Sequence, residues 1–148
     1  DGIRDYKVTG VQTCALPICI PLATGETEFS LFGFRDLIAR RLIDVVQPDA
    51  GRSGGITGMR HAATLALAYN LQFAPHTGFS GGVSQLAGLH MAAASPVLST
   101  FEYMFIDNPL REIFVGGYPR PQNGVLPVPQ GPGLGLELDW EKVERYTQ

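Results

Sequence analysis

Four times along the chain a short apolar run stops and delivers an ionisable side chain. Ile20-Pro21-Leu22-Ala23-Thr24 leads to Glu26, Ile43-Asp44-Val45-Val46-Gln47 to Asp49, Leu71-Gln72-Phe73-Ala74 to His76, and Val97-Leu98-Ser99-Thr100-Phe101 to Glu102. Runs this short, bounded by Pro or Gly, fit strands buried on both faces. The ionisable residues lie 23, 27 and 26 positions apart, and each gap holds apolar residues at helical spacing. Leu31, Phe34, Ile38 and Leu42 mark the first helix, with Arg40 and Arg41 in its last turn, where cations suit the helix dipole. Ile56, Met59, Ala63, Ala66, Leu67 and Asn70 mark the second, and Val83, Leu86, Ala87, His90 and Ala94 the third. Strand and helix in alternation predict an α/β fold with parallel strands joined by crossover helices. Parallel strands point the same way, so Glu26, Asp49, His76 and Glu102 should meet on one rim. That rim, at the carboxyl ends of the strands, is where α/β folds carry their chemistry.

Three carboxylates and one imidazole on a single rim cost free energy unless they hold a cation, a proton or a ligand. Carboxylate oxygens suit magnesium, which takes few ligands from protein. A histidine beside an aspartate is an oriented imidazole, suited to proton transfer. Taken alone, His76 reads equally as a loop histidine without consequence. The acids placed one unit away on either side make a functional rim the stronger reading.

Composition narrows the partners. A net charge of −3 with no basic cluster argues against nucleic acid and against an anionic membrane surface. No apolar run approaches the roughly 18 residues of a membrane span. At 148 residues, 45% hydrophobic and 17% charged, the chain suits one cytoplasmic globular domain or part of a larger one.

Residues 1–18, DGIRDYKVTGVQTCALPI, carry no helical or strand periodicity that continues beyond Ile18. The string VTGVQTCALPI resembles a translated sequencing-library adapter, so this segment is read as non-native and set aside. Cys14 and Cys19, within and beside it, therefore indicate no redox compartment. Residues 19–106 hold the strand–helix units. Residues 107–148 change texture, with Asn108-Pro109, Gly116-Gly117 and a Pro-rich stretch before a short helix from Trp140 to Tyr146. Recurring Leu, Val and Trp predict an extension that packs on the body, with Trp140 at least partly buried.

ATGE at 23–26, VVQPDAGRSGGIT at 45–57, APHTGFSGG at 74–82 and STFEY at 99–103 together resemble the enolase superfamily, in its mandelate racemase/muconate lactonizing enzyme branch. The resemblance covers residues 19–148. It implies the C-terminal half, strands five to eight, of a TIM-like (β/α)7β barrel. It also implies that Glu26 is a ligand of Mg2+, that Asp49 orients a histidine, and that His76 is that histidine, the general base. Glu102 would hydrogen-bond an enediolate intermediate. The implied reaction is magnesium-dependent removal of the proton α to a carboxylate, with a small carboxylate, a sugar acid, as substrate. Charge building on that carboxylate needs a metal and a hydrogen-bond donor to stabilise it.

The chain also departs from the family's pattern. The Lys-x-Lys bases of the second strand, the acidic ligands of the third and fourth, and the capping domain have no counterpart; the lysines are Lys7 and Lys142. Two of three metal ligands would thus lie outside this chain, which is expected to be inactive alone and part of a homo-oligomeric parent. A sugar-acid dehydratase is favoured over a racemase or epimerase. Dehydration requires proton loss at one face only, whereas racemisation requires a second base opposite.

Other motifs have plainer readings. Gly78-Phe79-Ser80-Gly81-Gly82 fits G-x-S-x-G, but a serine-hydrolase elbow puts its serine on the strand-to-helix turn with Asp and then His downstream. The glycines more readily allow close helix–strand packing or contact with a ligand. His90 reads as a satisfied core histidine and His61 as a helix-surface residue. Arg52 could contact substrate or pair with an acid.

Overall fold

The structure, a computed structural model, describes residues 20–147. The adapter-like segment 1–18, Lys7 and both cysteines lie outside the described residues. Strand β1 (Ala23–Thr24), helix α1 (Leu31–Ala39), strand β2 (Val45–Val46), helix α2 (Gly55–Ala68), strand β3 (Gln72–Phe73) and helix α3 (Gly82–Ala94) occur in that order. A 3-10 turn (Pro109–Arg111) and a short helix α4 (Trp140–Glu144) complete the described elements. No helix among the described residues is long and apolar enough to cross a membrane.

The sheet runs β1-β2-β3, all parallel, with Ala23 beside Val45 beside Gln72, and Thr24 beside Val46 beside Phe73. The regular strands are two residues long, shorter than the apolar runs suggest. Prolines explain part of this. Pro48 and Pro75 offer no N–H to the ladder, so after Ala74 N–H to Val46 O at 3.0 Å pairing continues past them only as single contacts: His76 N–H to Pro48 O at 3.0 Å and an Asp49–His76 bridge. The fourth run is likewise reduced to one bridge, Leu98 against Phe73, held by Phe73 N–H to Val97 O and Ser99 N–H to Phe73 O, each 2.9 Å. The described strands thus form a parallel α/β layer.

Alternation decides the packing. Val46 and Phe73 are fully buried under the helices, while their neighbours Ala23 and Gln72 on the other face stay exposed. Phe34 and Ile38 of α1 meet Ile43, Val46, Ala62 and Ala66 in one cluster. Met59, Ala63, Ala87 and Met91 close over Phe73 in the next. The small alanines along α2 and α3 let these helices approach the sheet and each other, with side chains too short to hold them apart.

A third cluster joins the extension to α3, where Leu86 is covered by Ile113 and Phe114, with Leu134, Leu136, Leu138 and Val143 packed around them. An antiparallel bridge between Phe114 and Leu138 fixes this fold-back, with Asp139 N–H donating to Ile113 O at 2.8 Å. Gly82 makes the contact possible: a Cβ there would lie 2.5 Å from Phe114 Cε2 and 3.1 Å from Leu110 O. The glycine therefore serves helix-to-extension packing, where the sequence suggested helix-to-strand packing or a ligand. Trp140 is 66% exposed, against expectation. The five residues of α4 turn Val143 inward, and Trp140, at the first helical position, faces outward.

Tyr118 donates its hydroxyl hydrogen to Gln85 Oε1 at 2.8 Å, beneath the extension. Burial, reinforced by Tyr103, raises its pKa well above the ordinary tyrosine value, with Arg111 pulling weakly the other way. A spectrophotometric titration should therefore leave one tyrosine un-ionised through about pH 10, where ordinary tyrosines titrate. Tyr118→Phe should remove that late component. The unfolded chain loses this proton first, so the linked stability falls as pH rises beyond about 10.

Candidate active site

Each predicted rim residue leaves the sheet at the carboxyl end of its strand, and three carboxylates face one imidazole. His76 Nδ1 lies 3.0 Å from Asp49 Oδ2, and Nε2 lies 2.7 Å from Glu26 Oε2 and 3.9 Å from Glu102 Oε2. The bridge between Asp49 and His76 places those two on adjacent strand ends. Both ring nitrogens face carboxylate oxygens within hydrogen-bond reach, and which nitrogen donates depends on the tautomer.

Burial separates the carboxylates by environment. The Asp49 side chain is 3% exposed, against 50% for Glu26 and 40% for Glu102. A buried carboxylate must be fully hydrogen-bonded, and Asp49 is. Its Oδ1 accepts the Gly51 N–H at 2.7 Å, and its Oδ2 accepts the Ser80 hydroxyl at 3.2 Å beside the imidazole. The Asp49 carbonyl accepts from Ser53, through N–H at 2.8 Å and the hydroxyl at 2.6 Å.

Glu102 is held by a residue that the sequence motifs did not single out. Thr77, 1% exposed, donates its N–H to Glu102 Oε2 at 2.7 Å and its hydroxyl to the Glu102 carbonyl at 2.6 Å. Its position directly between His76 and Gly78 was the available signal. Arg111 braces the loop after Glu102. Its buried guanidinium donates to the carbonyls of Met104 and Ile106 and lies 5.9 Å from the centre of the Tyr103 ring. Gly78 also proves necessary, since a Cβ there would sit 2.6 Å from His76 Nε2.

The remaining candidates fall elsewhere. Ser80 donates to Asp49, and both His76 nitrogens face other groups, so no imidazole is left to activate the serine as a hydrolase nucleophile. Arg52 reaches the Glu26 carbonyl at 3.4 Å. His90 is half-buried on α3 with Nε2 3.0 Å from Leu134 O, and His61 is exposed on α2. Lys142 of α4 pairs with Asp139, the residue capping that helix, at 3.1 Å.

The described residues alone do not fit a magnesium ion. Glu26 is the one carboxylate the resemblance assigns to the metal, and it is engaged by the imidazole. Among the described residues no group of three or more His, Cys, Asp or Glu side chains is arranged to hold a metal, whereas magnesium requires near-octahedral oxygen coordination.

Parallel strands, helical crossovers and a histidine–carboxylate cluster at the strand ends place the chain among α/β domains whose chemistry is carried on the rim. Residues 4–143 match the family described as enolase C-terminal domain-like, and the chain belongs to that family, in the mandelate racemase/muconate lactonizing enzyme group of the enolase superfamily. It is 35% identical over 126 residues to a D-xylonate dehydratase of Haloferax volcanii, covering 85% of this chain and 30% of that protein. It is 30% identical over 135 residues to a D-galactarolactone cycloisomerase of Agrobacterium fabrum, covering 86% of this chain and 35% of that one. The solved 3,6-anhydro-D-galactonate cycloisomerase of Zobellia galactanivorans superposes with a TM-score of 0.82 at 33% identity, over 95% of this chain and 40% of the other. The chain spans about a third of the length of these curated relatives.

Proposed function

We propose that this chain is the C-terminal part of an enzyme that removes the proton α to a carboxylate, and that the complete protein is a dehydratase of sugar acids. The observation that carries this is the His76 imidazole, held by Asp49 at 3.0 Å with Glu26 and Glu102 at 2.7 and 3.9 Å from its other nitrogen. Residues 19–106 would supply strands five to eight of the barrel and residues 107–148 the extension that braces them.

In this reading the α-proton moves to His76 Nε2, and the electron pair released from the C–H bond passes onto the substrate carboxylate as an enediolate. Asp49, fixed by Gly51 and Ser80, holds Nδ1 and stabilises the imidazolium. Glu102, fixed by Thr77, hydrogen-bonds the enediolate oxygen, which requires a proton on its free oxygen. Collapse of the enediolate expels the β-hydroxyl, which leaves as water on taking the proton carried by the His76 imidazolium, and so returns the base to its starting form. Members of the superfamily use magnesium; Glu26 would be one ligand, with the others outside this chain.

A dehydratase is supported by the D-xylonate dehydratase relative, 35% identical over 126 residues. A racemase or epimerase of the mandelate racemase type is the alternative, supported by the family group itself. The test is a screen of the full-length protein against sugar acids, with detection of 2-keto-3-deoxy acids. Product should form, disappear on chelation by EDTA and return with added magnesium; Glu26→Gln should need more metal for the same rate. Inversion at the α-carbon without loss of water would favour the racemase, and turnover that survives EDTA would sink the metal-dependent reading.

A further inference from the structure

Within the G-x-S-x-G stretch, Ser80 touches the Asp49–His76 pair without taking part in proton abstraction itself. We propose that Ser80 is a positioning residue for the Asp49–His76 pair, and that Asn108 couples the C-terminal extension to it; this rests on the reading of His76 as the base.

A carboxylate anchored through one oxygen can still rotate about its Cβ–Cγ bond. Gly51 N–H holds Asp49 Oδ1 at 2.7 Å, and the Ser80 hydroxyl holds Oδ2, the oxygen facing the imidazole, at 3.2 Å. The other acceptor near the hydroxyl, Gly78 O, is at 3.5 Å, the limit of a hydrogen bond. With both oxygens anchored, the carboxylate plane is set before the imidazole engages it, and Nδ1 meets a fixed acceptor. Catalytic groups work when their own supports hold them to within a fraction of an ångström.

Ser80 is itself held on two sides. Its N–H donates to Thr77 O at 3.2 Å, closing a tight turn in which Phe79 takes φ +52°. A left-handed φ is costly for a side chain of that size, and Phe79, 81% exposed, gains no packing to offset it. Strain of this kind persists where the surrounding structure over-determines it, here in the turn that aims Ser80 at Asp49. From the extension, Asn108 Nδ2 donates to Ser80 O at 3.3 Å, while its Oδ1 caps the Pro109–Arg111 turn through Leu110 N–H at 3.0 Å. The extension thus reaches the base through a continuous path, Asn108 to Ser80 to Asp49 to His76.

The test monitors exchange of the substrate α-proton with solvent deuterium in the full-length protein. Ser80→Ala should slow exchange about tenfold, the scale of a lost hydrogen bond to a charged group, with KM little changed. Ser80→Thr, which keeps the hydroxyl, should retain most of the rate. Asp49→Asn combined with Ser80→Ala should be no slower than Asp49→Asn alone, because residues acting through one group do not add. A purely structural role would instead add in full. Asn108→Ser keeps an oxygen able to cap Leu110 and removes the Nδ2 donor without adding charge, so it answers even where Ser80→Ala unfolds; a several-fold fall supports the coupling and a wild-type rate overturns it. Wild-type exchange in folded Ser80→Ala overturns the proposal alone, provided His76→Asn has lost exchange. Wild-type exchange in His76→Asn would instead overturn the reading beneath it.

Discussion

His76→Asn in the full-length protein should lower turnover by about 10²–10⁴-fold, the contribution of a general base, while leaving the melting temperature nearly unchanged. Asparagine can keep one hydrogen bond to Asp49 but offers no nitrogen able to take a proton. His76 packs in none of the apolar clusters, and the asparagine amide keeps a donor facing the buried Asp49 carboxylate, so the cost to the fold is small. Asp49→Asn should also be slow for a different reason: the imidazole stays, but an amide can present its NH2 to Nδ1 and select the wrong tautomer. The double variant should be scarcely worse than His76→Asn. Steady-state kinetics with thermal melts on the same preparations check this; an Asp49→Asn loss that adds in full to that of His76→Asn would mean that Asp49 acts elsewhere.

Gly78→Ala should cost activity on the order of 10²-fold, as a displacement of about 1 Å can, at little cost in stability. The added methyl would lie 2.6 Å from His76 Nε2 and 2.8 Å from its Cε1. No carbon approaches a ring that closely, and the ring is the movable partner, so the imidazole swings away and the backbone stays. The next contact, Met104 Cε at 3.6 Å, is ordinary packing. The loss should appear in kcat, with substrate affinity largely kept. Wild-type kcat in Gly78→Ala would show that the imidazole need not stand where it does.

The rim was legible in the sequence because it depends on topology alone. Four apolar runs, each one crossover unit apart, point the same way, and so do the residues just past their ends. What holds the rim was less legible. Thr77 and Ser80 act through a tight turn whose geometry rests on Phe79 in a left-handed conformation, and nothing in residue spacing reveals such a φ at a phenylalanine. No sequence pattern marks Arg111, yet it is buried against carbonyls seven and five residues earlier. Strand lengths were over-read because an apolar run records burial, whereas a ladder also needs N–H donors, which Pro48 and Pro75 lack. Trp140 was misplaced because hydrophobicity alone suggests burial, while a five-residue helix turns only one face inward and Val143 occupies it.

The central claim is that His76 takes a proton from the carbon beside a carboxylate. The most direct measurement is incorporation of solvent deuterium at the substrate α-position by full-length wild-type protein and by His76→Asn, in D2O, with the folded state of each verified. Exchange is expected in the wild type, and its loss, by at least about 10²-fold, in His76→Asn. Exchange by His76→Asn at the wild-type rate would assign the base to another residue and contradict that claim.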